Sequence, residues 1–113
     1  MDKIISKIAA LGVPGVVLIV ALHATGYAGA AAMTTVLAAM GGPAGMIGGV
    51  FAFAAMALIS DAIVKYGYSA VMNAVLKELY KKGETKETIL AKVETYPISN
   101  DLKRKLRENV EAF

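Results

Sequence analysis

The chain has 113 residues, enough for one domain. It is 57% hydrophobic and 19% charged, with a mean hydropathy of +0.57 and a net charge of +3. Soluble domains average about 45–50% apolar and about 25% charged residues, so an ordinary hydrophilic surface over the whole chain is excluded; the absence of cysteine excludes disulfides and thiolate metal sites.

The charges are segregated. No Asp, Glu, Lys or Arg occurs from Ile8 to Ser60, a block of 53 residues. A membrane-spanning helix takes about 20 apolar residues. The block is too long for one span, comfortable for two, and cramped for three short pieces. The expected fold is all-α: residues 1–60 form a glycine/alanine-rich transmembrane hairpin, and residues 61–113 an amphipathic helical tail. The competing arrangement is a buried hairpin wrapped by the charged tail.

In chain order, "DKIISK" is a short amphipathic lead-in. Lys3, Lys7 and the "LHA" at Leu22–Ala24 also fit a signal peptide, but residues 8–24 are read as a retained span. Pro14 marks a first turn or a mild kink. Residues 25–40, rich in small side chains, continue helical. An unbroken helix from Ile8 to Met40 would be about 50 Å long against a hydrocarbon core of about 30 Å, so a break is expected near Gly26 and Gly29, or a strong tilt. Gly41-Gly42-Pro43 is the clearest break, with Pro43 opening the next helix, which ends near Ser60.

From Asp61 the pattern becomes amphipathic. Val64, Tyr68, Val71, Met72, Val75, Leu76 and Leu79 are expected on one apolar stripe, with Asp61–Lys65 and Glu78–Lys82 as ion pairs one turn apart. Gly83 stops that helix. Thr85 caps a short helix burying Ile89, Leu90 and Val93, which Pro97 ends. Ser99 or Asn100 caps a last helix with Leu102, Leu106 and Val110 in line. The two short helices form a small cytoplasmic hairpin.

Glycine costs a helix about 1 kcal/mol relative to alanine, yet Gly41, Gly45 and Gly49 recur every four residues. In lipid, small residues let helix backbones approach closely. Ala44, Gly48 and Ala52 form a neighbouring row, and Ala28 and Ala32 repeat the pattern in the preceding segment. These positions are candidate packing and oligomerisation residues, either within one hairpin or between subunits.

Lysine and arginine flank the apolar block at both ends, and none lies in the turn around Gly41. Both termini are therefore expected on the cytoplasmic side of an inner membrane. Lys3, Lys7, Lys65, Tyr66 and Tyr68 are candidate headgroup contacts. His23, Thr34 and Thr35 are candidate pore-lining or intramembrane polar residues; the plainer reading leaves His23 neutral and hydrogen-bonded, and the threonines bonded to their own helix. No nucleophile–base set, paired carboxylate, phosphate loop or metal spacing occurs, so no enzyme and no cofactor are expected. The run Lys103–Arg107 is basic, but Asp101, Glu108 and Glu111 offset it, so nucleic acid is not an expected partner.

"GGPAGMIGGVFAFAAMA" and the small-residue run before it resemble the glycine/alanine-rich helices of the small interferon-inducible membrane proteins and their bacterial look-alikes. Holins are similar in layout only. The resemblance implies membrane perturbation or cell death, in a defence setting, and carries over no functional residue. The expected function is a self-associating small membrane protein that permeabilises or remodels a bacterial membrane, its partners being the bilayer, further copies of itself and a protein bound through residues 85–113. The alternatives are a non-catalytic accessory subunit of a larger membrane complex and a soluble pore-forming peptide with a concealed hairpin.

Overall fold

The computed structural model describes residues 2–25, 45–96 and 98–113. Among them the chain is all-α, with six helices and no strand. The helices are α1 (Asp2–Ala9), α2 (Val13–Thr25), α3 (Gly45–Tyr66), α4 (Tyr68–Lys81), α5 (Lys86–Glu94) and α6 (Asn100–Ala112).

Glycine and proline set the first breaks. Gly12 takes a left-handed φ of +72° that other residues adopt at a cost, and Pro14 lies in the first turn of α2, where its missing N–H needs no partner. The consequence is not a mild kink: α1 and α2 meet at 108°. The expected single span over residues 8–24 is therefore interrupted. Searched over the described residues, no single helix is long and apolar enough to cross a membrane; the α1–α2 pair passes by length and composition, but bent. Gly15 sits inside the bend, where an added Cβ would lie 2.8 Å from the Ile8 carbonyl oxygen.

The break expected near Ser60 falls later. α3 runs through Asp61 to Tyr66, and Gly67 ends it with a φ of +89°. Val64 therefore belongs to α3 and not to the stripe of α4; it is 82% exposed. The rest of the stripe holds, with Val71, Met72, Val75, Leu76 and Leu79 buried along α4. Asp61 pairs with Lys65 at 3.4 Å as expected. Glu78 pairs with Lys81, one residue short of the expected Lys82, at 3.4 Å.

The signals at Gly83, Thr85 and Ser99 act as read; Leu90, expected buried, is only partly so, and Pro97 lies outside the described residues. Gly83, at φ +100°, ends α4. Thr85 caps α5 through its hydroxyl, which accepts from the Thr88 amide at 3.1 Å, and the Thr88 hydroxyl in turn accepts from the Thr85 amide at 2.8 Å. Ser99 caps α6 by accepting from the Leu102 amide at 3.1 Å. α5 and α6 pack on each other as a hairpin.

The core joins both halves. α1 lies along α4, and α2 touches α1, α3, α4, α5 and α6. Ile5 and Ile8 of α1, Val16–Leu22 of α2, Ile59 of α3, and the buried residues of α4, α5 and α6 form one cluster.

Candidate functional site: a sheathed apolar helix and its clasp

The centre of the molecule is α2. Val16, Val17, Leu18, Ile19, Val20, Ala21 and Leu22 are consecutive, and each is between 0 and 8% exposed. An amphipathic surface helix would bury only one stripe of them. Burial of every direction requires neighbours all round, and α1, α3, α4, α5 and α6 provide them. The C-terminal sheath helices present apolar side chains to α2. α5 turns Ile89 and Val93 inward and α6 turns Leu106 and Val110 inward, leaving their charges outside.

A group of rings and one amide closes the C-terminal end of α2. The His23 imidazole lies flat on the Tyr68 ring, with centroids 3.7 Å apart and planes inclined by 9°. Phe113 meets the same ring edge-on at 6.5 Å. The Tyr68 hydroxyl donates to Asn109 Oδ1, and Asn109 Nδ2 donates to the Lys105 carbonyl at 2.7 Å. One phenol thus ties together the end of α2, the start of α4 and the last turns of α6. Burial pushes the Tyr68 hydroxyl up to about 12.

Outside this clasp, α3 carries an uncovered face. Ala57, Ser60, Asp61 and Val64 line a shallow open groove of about 350 Å³. Among the described residues, no group of three His, Asp or Glu side chains lies close enough to hold a metal ion.

The positions singled out in the sequence fare unevenly. Gly41, Ala44, Ala28, Ala32, Thr34 and Thr35 lie outside the described residues. Gly45, Gly48, Gly49 and Ala52 fall in the N-terminal half of α3. His23 is exposed and stacked rather than enclosed among helices. Lys3, Lys7 and Lys65 are exposed, and Tyr66 is 37% exposed. Tyr68 differs from them in being half-buried, with His23 and Phe113 against its ring as part of the clasp. Sequence reading missed Asn109 and Phe113, since nothing in the sequence marks a bond spanning 41 residues.

No known protein family, curated protein or solved structure matches this chain.

Proposed function

We propose that this chain is a membrane-active helical protein that stores an apolar helix among its other helices and releases it to permeabilise or remodel a bilayer. The observation that supports this most is the all-round burial of Val16–Leu22. A helix apolar on every side needs either a protein sheath or lipid. The two environments serve the same side chains about equally well, because Ile8–Ser60 brings no charged side chain to desolvate. The reading is thus the concealed-hairpin one, with the two-span hairpin as its inserted form.

Length sets a condition on that insertion. The 13 residues of α2 reach about 20 Å, short of a hydrocarbon core of about 30 Å. The inserted helix must therefore be longer than α2, either by straightening the α1–α2 bend or by extending past Thr25. In the inserted state the rows at Gly41, Gly45 and Gly49 set close helix approach, and further copies of the chain assemble through them. Both termini then stay on the cytoplasmic side of an inner membrane.

A second reading is a non-catalytic subunit of a larger membrane complex. The uncovered Ala57–Val64 face of α3 favours it, since a neighbouring chain would cover that groove.

Leakage of a dye from lipid vesicles tests the proposal. Purified full-length chain is expected to release the dye, with release steepening as protein is added because assembly is required. Vesicle binding without release supports the subunit reading. Neither binding nor release contradicts both.

A further inference from the structure

The charges of this molecule are sorted between its faces. Glu84, α5 and α6 hold six acidic and six basic residues, which cancel. Asp61 and Lys65 of α3 cancel as well. α1 carries two lysines against one aspartate, and α4 with Lys82 carries three lysines against one glutamate. The whole net charge of +3 therefore resides on α1 and α4, the two helices that lie along each other.

Pairing sharpens the contrast. Every cation of α5 and α6 is engaged. Lys92 meets Glu84 at 2.5 Å, Arg107 meets Glu94 at 2.7 Å, and Arg104 and Lys105 share Asp101. Lys86 and Lys103 donate to the carbonyls of Glu111 and Glu94. On the other side, Lys3, Lys7, Lys77 and Lys82 make no ion pair with a described acidic side chain, and all four are exposed. Glu78 is taken by Lys81. The basic run Lys103–Arg107, the most conspicuous in the sequence, is thus largely spent internally, while the four lysines of α1 and the α4 region have no acidic partner among the described residues.

We infer that Lys3, Lys7, Lys77 and Lys82, on the adjoining helices α1 and α4, form a docking surface for anionic phospholipid. Lysines next to a membrane-inserting segment are attracted to anionic headgroups. Continuity favours lipid over another polyanion: α1 leads through Gly12 straight into α2, the helix the proposed function sends into the bilayer. Docking by this face sets the entry of α2 against the headgroups. The inference rests on that proposed function for its purpose, but not for its test.

Flotation with vesicles of phosphatidylglycerol and phosphatidylcholine, against phosphatidylcholine alone, provides the test. Each lysine near an anionic surface contributes about fivefold in binding. The double variants K3Q/K7Q and K77Q/K82Q are each expected to weaken binding to anionic vesicles about 20-fold. The control K103Q/K105Q should change it less than about threefold, and raised salt should weaken wild-type binding. Circular dichroism confirms that each variant is folded. Equal loss in the control, binding indifferent to phosphatidylglycerol, or tighter binding to a short DNA duplex than to anionic vesicles would each overturn the surface. Dye release separates the two ideas. Release from neutral and anionic vesicles alike, unchanged in the lysine variants, sinks the surface and keeps the function. Charge-selective binding without any release keeps the surface and sinks the function.

Discussion

The imidazole of His23 and the phenol of Tyr68 are parallel to within 9° at 3.7 Å, and that stack joins the last turn of the apolar helix α2 to the first turn of α4. The Tyr68 hydroxyl continues the link to Asn109 on α6. Replacing the ring contact and the hydrogen bond separately measures each. Tyr68→Phe keeps the stack and loses the bond to Asn109, at an expected cost of about 1 kcal/mol. His23→Ala removes the stacked partner, at about 0.5–1.5 kcal/mol. Thermal unfolding followed by circular dichroism reads both, and a double variant whose loss is simply the sum of the two single losses would deny that the clasp is a unit.

The same phenol predicts an alkaline transition. Its folded value is raised to about 12 from an ordinary 10, so the native state favours the protonated form. That contribution is fully present below pH 10 and is lost as pH rises through about 12. Burial also raises Tyr80 and Tyr96, so ultraviolet absorbance of tyrosinate should show several late-titrating groups, of which the one near 12 is absent in Tyr68→Phe. Titration of every tyrosine near the ordinary value would contradict the burial of this ring.

Glu84 predicts an acid counterpart. The Lys92 ammonium, and then the Thr88 hydroxyl, hold its carboxyl below the usual range, and the side chain is only 17% exposed. A lowered native value gives stability that is present above the unfolded value of 4.5 and fades as pH falls through the native one. Glu84→Gln should cost about 1 kcal/mol at neutral pH and flatten the acid side of the stability profile. An unchanged profile would mean that the Glu84–Lys92 pair does not persist in solution.

Gly15 and Gly83 respond to substitution for different reasons. Gly83 needs its left-handed φ of +100° but has open space around it. Gly83→Asn should therefore lose less than Gly83→Ala, since asparagine tolerates that region better. Gly15 needs space instead, because a Cβ would press on the Ile8 carbonyl at 2.8 Å and on Leu11 Cβ at 3.3 Å. Gly15→Ala and Gly15→Asn should both destabilise, by about 1–3 kcal/mol. Denaturant midpoints decide, and a harmless Gly15→Asn would mean that the bend between α1 and α2 is looser than described.

Much of this architecture is legible in the sequence, and the reasons are local. Thr85, Ser99 and Gly83 act through bonds or dihedrals within a turn, so their neighbours alone announce them. The stripe of α4 repeats at helical spacing and is equally plain. The placement of α2 is not, because a run such as Val16–Leu22 meets the same requirement in lipid and in a protein core. Periodicity carries no mark of which surrounds it. Val64 was misplaced for a related reason: its spacing suits the stripe, but Gly67 ends α3 and resets the phase of the next helix. The clasp escapes sequence reading altogether, since Tyr68, His23, Asn109 and Phe113 meet only through tertiary packing.

Lipid quenching of a reporter in α2 bears most directly on whether the helix changes environment. The chain contains no tryptophan, so Leu22→Trp, at the 8% exposed end of the buried run, supplies a unique fluorophore. The account predicts strong quenching when vesicles carry brominated acyl chains, rising in step with dye release. Fluorescence that ignores brominated lipid while the protein is bound to the vesicles would show that α2 never leaves its sheath.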